Sequence, residues 1–221
     1  MTIRPRRSVL YMPGSNARAL EKAKTLAADG VILDLEDSVA PDAKEAARTQ
    51  VAAAVKAGGF GAREVFIRVN GVDTPWHADD LAAAAHAAPD AILVPKVSNP
   101  DTLEMIGRRL LDMGTDHKTR VWAMIETPLA IFNILSIAAV ARDSETRLSG
   151  FVMGTNDLAK TPVRAWCPAA RRCWPGSPPV WRRRASTASI SSMASTTTSA
   201  TATAFRWNAR RALNLASTAR P

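Results

Sequence analysis

The chain reads as an α/β protein of the TIM (β/α)8-type barrel class, carried as about six strand–helix units and followed by an irregular tail. Three observations predict this. Six short, nearly continuous apolar runs alternate with helical stretches between residues 8 and 160, the pattern of a parallel sheet buried on both faces. The units recur at about 25–30 residues, a spacing that TIM barrels and doubly wound sheets share. Asp34, Glu36, Arg68, Lys96, Glu126 and Asp157 all stand at the C-terminal ends of apolar runs. A barrel gathers such ends into one ring, whereas an open sheet spreads them along a line, so these residues favour the barrel. A closed barrel needs eight units.

The elements follow in order. SVLYMP at 8–13 is a buried strand ended by Pro13-Gly14, and Ser15-Asn16 caps a helix running through Lys24 and Ala27. GVILDL at 30–35 is the second strand, and the Ala-rich 44–57 is a helix closed by Gly58-Gly59. VFIRV at 65–69 is the third strand, with a helix over 79–88 stopped by Pro89. AILVPKV at 91–97 is the fourth, after which Asn99-Pro100-Asp101 opens a helix to Met113. VWAMI at 121–125 is the fifth, followed by one helix over 128–141. GFVM at 150–153 is the sixth and runs into GTNDLA.

Length and composition bound the rest. A chain of 221 residues with 47% hydrophobic content can bury one sizeable core. It contains no run of 18 apolar residues, so no membrane span is expected. MTIRPRR before SVLYMPG is basic but too short to be a leader, and a cytoplasmic protein is expected. The net charge of +9 arises after residue 160: residues 161–221 hold ten Arg and no Lys, Asp or Glu, together with both cysteines, Cys167 and Cys173. Those arginines follow no face or helix, so nucleic acid is not an expected partner. Two domains are expected: a partial barrel over 1–160 and a basic, Ser/Thr/Ala/Arg-rich tail over 161–221.

Among the strand-end residues, Glu126 and Asp157 close neighbouring strands. Two carboxylates there can hold a divalent cation whose shell is completed by water, as Mg²⁺ prefers; the alternative is a pair of helix-capping acids. Arg68 is either a fixed guanidinium fork for an anionic substrate or a buried ion-pair partner. Lys96 is open to a covalent role but more ordinary as an ion-pair partner. His77, His86 and His117 show no metal spacing and are expected at the surface. Gly58-Gly59-Phe60-Gly61 follows no strand and is a helix stop, not a phosphate cradle.

Six segments carry a resemblance: RSVLYMPGS at 7–15, ADGVILDLEDSV at 28–39, FIRVNG at 66–71, ILVPKV at 92–97, IETP at 125–128 and GTNDLA at 154–159. Over residues 6–160 the chain resembles the citrate lyase β-subunit-like branch of the HpcH/HpaI aldolase family. The resemblance implies a TIM barrel, Mg²⁺, and cleavage or formation of a C–C bond in acyl-CoA or acyl-carrier thioesters. It implies Glu126 and Asp157 as metal ligands and Arg68 as the substrate arginine. Asp34, Glu36 and Asp37 would hold water behind them, and Arg7 and Lys24 would meet the CoA phosphates. It further implies that full-length relatives are homo-oligomers. A free-acid 2-oxo-acid aldolase on the same barrel is the alternative chemistry; a basic non-catalytic interaction protein, driven by the tail, is the alternative of another class.

After Lys160 the resemblance stops. The tail is open to two readings, a disordered basic segment or a frame-shifted translation. Reread one base off, with free choice among synonymous codons, residues 193–209 and 215–221 admit sequences resembling the family's seventh- and eighth-strand regions. On that basis the tail lacks two strand–helix units and the C-terminal extension. The barrel would stay open with unpaired strand edges, and an inactive chain is one expected outcome.

Overall fold

A computed structural model describes residues 6–160. The expectations placed on 161–221 lie outside the described residues. Six strands alternate with helices: β1 (Val9–Pro13), α1 (Ala17–Ala23), β2 (Gly30–Asp34), α2 (Lys44–Ala57), β3 (Glu64–Arg68), α3 (His77–Ala87), β4 (Ala91–Val94), α4 (Pro100–Asp112), β5 (Arg120–Ile125), α5 (Pro128–Phe132), α6 (Ile134–Ala139), β6 (Leu148–Met153) and α7 (Thr155–Lys160).

Every strand pairs in parallel with the next in sequence, giving the order β1-β2-β3-β4-β5-β6. A doubly wound sheet reverses its order at a switch point; this one never does. The topology is that of the first six units of a β/α barrel, and among the described residues the sheet is not closed. The register pairs Pro13 with Asp34, Asp34 with Arg68, and Ile125 with Met153. Arg68 pairs with Leu93 and Val94 with Ala123, so the C-terminal ends step by only one or two residues from strand to strand, and the polar residues that follow them meet.

The strands bury both faces. One carries Val31, Leu33, Val65, Ile67, Ile92, Val94 and Ala123 against helix residues such as Leu20, Val51, Leu81 and Ile106. The other is filled from strands alone, by Val9, Ile32, Phe66, Leu93, Trp122, Met124 and Val152. Phe66 meets Trp122 edge to face with centroids 4.8 Å apart, a favoured aromatic geometry. Helix starts follow the expected caps: Asn16 accepts from the Ala19 amide and Asn99 from the Thr102 amide, both at 3.1 Å.

Three expectations need correction. The helix expected over 128–141 is broken at Asn133, whose backbone leaves the helical region (φ −94°, ψ 8°) while its side-chain amide donates to Ser98 O at 2.9 Å. β4 ends at Val94 because Pro95 and Lys96 form a turn. His77 is not at the surface. It is 2% exposed, with Nδ1 2.8 Å from Asn70 O.

Close helix packing gives a prediction. A Cβ on Gly107 of α4 would lie 2.5 Å from Glu145 O and 2.8 Å from Thr146 Cα. Both are backbone atoms that cannot swing aside. Gly107→Ala is expected to destabilise by about 1–3 kcal/mol despite its better helix propensity. A urea midpoint equal to that of the parent chain would refute this.

Candidate active site

The strand ends converge on Arg68, the last residue of β3. Its Nε and Nη2 donate to the two carboxylate oxygens of Asp34, both at 2.6 Å. Its Nη1 lies 2.9 Å from Glu36 Oε2 and 3.4 Å from Asp37 Oδ2. The guanidinium also lies 5.0 Å from the Tyr11 ring centroid, within cation–π range. Asp34 further accepts from the amides of Glu36 and Ser38. Burial opposes the charge on both partners, but the Arg68 hydrogen bonds hold the Asp34 carboxyl below its usual range. Those with Asp34 likewise hold Arg68 above its own. Burial also pushes Glu36 up and raises the Tyr11 phenol to about 12.

Glu126 follows β5 and is 2% exposed. It does not cap a helix: Thr127 does that, accepting from the Ala130 amide at 3.1 Å. Glu126 Oε1 accepts from the Lys96 amide at 2.7 Å, which fixes the carboxylate across the β4–β5 gap. Asp157 lies in the first turn of α7 and pairs with Lys160 at 2.8 Å. Burial, the Glu36 charge and a proton shared with Asp157 push Glu126 above the usual carboxylate range. With both acids ionised neither has a proton to offer, and Glu126 Oε2 is a buried oxygen with no donor.

A buried anionic oxygen without a partner is costly, and a hard cation resolves it. Among the described residues no group of three or more His, Cys, Asp or Glu is placed to hold a metal ion. Two carboxylates suit Mg²⁺, which keeps several waters, and not a closed zinc site. Gly154 makes the room: a Cβ there would lie 2.7 Å from Glu126 Oε2 and closer still to Glu126 Cβ. Gly154→Ala should therefore leave a folded chain whose Mn²⁺ affinity falls roughly 10–100-fold, the cost of disturbing a ligand's support. Unchanged affinity in a spin-resonance titration would show that Oε2 meets no cation.

Arg7 and Lys24 do not join this cluster. Arg7 precedes β1 and pairs with Asp29, which precedes β2, at 3.0 Å. That contact pulls the Asp29 carboxyl down to about 2. Lys24 pairs with Glu21 at 2.8 Å and lies 5.8 Å from the Phe60 ring centroid. Both stand at the N-terminal ends of the strands.

Sequence reasoning missed the support behind the DLED acids. Lys44 Nζ donates to Leu35 O, Glu36 O and Asn70 Oδ1 at 2.7–2.8 Å. Asn70 Nδ2 donates to Asp80 at 2.6 Å, and Asp80 also accepts from Arg48 Nε at 2.7 Å. A signal existed: His77, Asp80, Leu81 and Ala84 are buried on α3 at i, i+3, i+4 and i+7. That is the spacing of a core stripe, and two polar residues sit on it. Asp80 also accepts from the Asn70 amide at 3.0 Å, and without it Arg48 keeps only its 3.3 Å contact with Asp79. Asp80→Ala leaves buried donors unsatisfied and is expected to cost about 1–3 kcal/mol; an undisturbed urea midpoint would contradict this.

Comparison with known proteins follows the same residues. The sequence profile described as HpcH/HpaI aldolase/citrate lyase matches residues 7–165. The chain is 49% identical over 156 residues to (3S)-malyl-CoA thioesterase of Cereibacter sphaeroides, covering 71% of this chain and 51% of that protein. It is 34% identical over 170 residues to the malyl-CoA/beta-methylmalyl-CoA/citramalyl-CoA lyase of Chloroflexus aurantiacus, covering 72% and 47%. The crystal structure of CitE from Mycobacterium tuberculosis with magnesium and acetate superposes with a TM-score of 0.53 at 28% identity, covering 69% and 56%. The chain thus spans about half the length of the curated relatives it matches.

Proposed function

Because the chain belongs to the HpcH/HpaI aldolase/citrate lyase family, we propose that its strand-end cluster serves Mg²⁺-dependent cleavage or formation of a C–C bond in a β-hydroxyacyl-CoA-type thioester. The observation that carries this reading is Glu126. Its carboxylate is pinned by the Lys96 amide through one oxygen, and the other is buried beside Asp157 with no donor once both acids are ionised. Glu126 and Asp157 would hold the cation, and the similar CitE structure contains magnesium. The metal, when bound, polarises the oxygens of the acid fragment.

The residues of the chain do the rest. The hydroxyl of the substrate gives up its proton, the bond between its carbon and the thioester α-carbon breaks, and the electron pair passes into the thioester enolate. Protonation of that carbon completes an acyl thioester, and the other fragment leaves as an oxo acid. Negative charge grows on the enolate oxygen, and a preorganised cation stabilises it without reorganisation. Arg68, buried and held by Asp34 and Glu36, lends its charge to that oxygen from behind the site. Asp34, Glu36 and Asp37 keep that cation fixed.

A second reading is thioester hydrolysis, favoured by the 49% identity to a malyl-CoA thioesterase. Product analysis with malyl-CoA separates the two. Acetyl-CoA and glyoxylate report C–C cleavage; malate and free CoA report hydrolysis. Turnover of a free 4-hydroxy-2-oxo acid, with none of the thioester, would instead establish the free-acid aldolase.

A further inference from the structure

We propose that Lys96 presents the substrate-facing cation of this site, its ammonium binding an anionic oxygen of the substrate while its backbone amide aims Glu126. The assignment deepens the lyase reading and rests on it. The first ground is backbone conformation. Lys96 follows Pro95 in a turn and has φ +54°. Turns with Pro first and a positive φ second ordinarily carry Gly or Asn there, since a β-carbon is disfavoured in that region. The amide contact with Glu126 Oε1 at 2.7 Å needs only the backbone, and Gly would make it with less strain. A lysine there is explained by its side chain.

The second ground is access. The Lys96 side chain is 51% exposed and makes one ion pair, to Glu36 Oε1 at 3.2 Å. Arg68 carries the larger charge cluster, yet its side chain is 6% exposed and its fork is committed to Asp34 and Glu36. Lys44 spends its donors on Leu35, Glu36 and Asn70. Lys160 is exposed but is paired with Asp157 at 2.8 Å. Arg68 therefore acts as a buried charge behind the site, and Lys96 is the flexible ammonium in front of it. Its contact with Glu36 anchors it between the arginine cluster and the Glu126 carboxylate, where an anionic substrate oxygen would arrive.

Two substitutions in the full 221-residue chain test this. Lys96→Asn removes the ammonium but suits the left-handed backbone; Lys96→Arg keeps a charge. Mn²⁺ affinity is read by spin resonance, and binding of pyruvate, a small 2-oxo acid, by calorimetry at saturating Mn²⁺. Lys96→Asn is expected to keep Mn²⁺ affinity within threefold and to lose pyruvate affinity at least tenfold. Lys96→Arg is expected to keep most of both. Pyruvate affinity unchanged in Lys96→Asn overturns the assignment alone, as does an equal loss of Mn²⁺ and pyruvate. Failure of the unaltered chain to bind Mn²⁺ sinks the metal reading of Glu126 and Asp157, and this assignment with it.

Discussion

Glu126→Gln is expected to abolish Mg²⁺-dependent turnover and to weaken Mn²⁺ binding by more than the roughly 10–100-fold that loss of an outer-shell partner costs. The substitution is nearly isosteric, so the Lys96 amide keeps an acceptor and the fold should hold. What disappears is the anionic charge that makes the second oxygen a ligand. Asp157→Asn should act in the same direction, because a site with two protein carboxylates has no spare charge to substitute. It also loosens Lys160, which pairs with Asp157 at 2.8 Å, and that exposed contact contributes little. Equal Mn²⁺ titrations in the parent chain and both variants would reduce the pair to strand-end acids with no role in metal binding. Mn²⁺ binding does not require a complete barrel to be informative, which suits a chain about half as long as its relatives.

Arg68→Ala carries the second large effect, on stability. Arg68 and Asp34 are 5% and 1% exposed, and removing one member of a buried pair costs about 3–5 kcal/mol because the other is left charged without compensation. The loss should depend on pH. In the intact protein the Asp34 carboxyl lies below its ordinary value, so its contribution is full above the unfolded pKa of about 3.9 and is lost as pH falls through the folded one. In Arg68→Ala a buried Asp34 holds its proton to a pH above its ordinary value, so the difference between parent and variant should begin to shrink as pH falls through that raised value and go on shrinking through the parent's depressed one. Urea unfolding at pH 7 and at pH 3.5 measures both numbers. A deficit that is the same at both would mean that the lost packing of the guanidinium, not the stranded carboxylate, sets the cost. Arg68→Lys keeps the charge and loses the fork; it should fold and lose most activity, and near-parental rates would make Arg68 a structural residue only.

The strand ends were legible because an apolar run that stops on a charge marks its own C-terminus. Asp34, Arg68 and Glu126 were placed that way, with Asp157 a few residues past β6 in the first turn of α7, and the near-even register of the sheet brings these ends together. Strand direction alone also argues against Arg7. It precedes β1, so it belongs to the opposite end of the sheet, where its pairing with Asp29 puts it. The burial of His77 and Asp80 was readable in the i, i+3, i+4 stripe of α3 but hidden by their polarity. The break at Asn133 was not readable, because it follows from a hydrogen bond to Ser98, 35 residues earlier in the chain.

The sequence by itself determined the alternation of strands and helices, the caps at Asn16 and Asn99, and which charges close each strand. These depend on local propensity and on periodicities of two and 3.6 residues, which neighbouring residues fix among themselves. Only the tertiary structure decided which charges face one another. It gave Asp34 both arms of Arg68, handed the Lys96 amide to Glu126, buried Lys44 behind the DLED acids and left one oxygen of Glu126 without a donor. Apart from Lys44, which folds back onto the end of its own strand, those contacts join residues from different strand–helix units. Their energies depend on distance, burial and competing partners, quantities that exist only once the sheet has brought the units together.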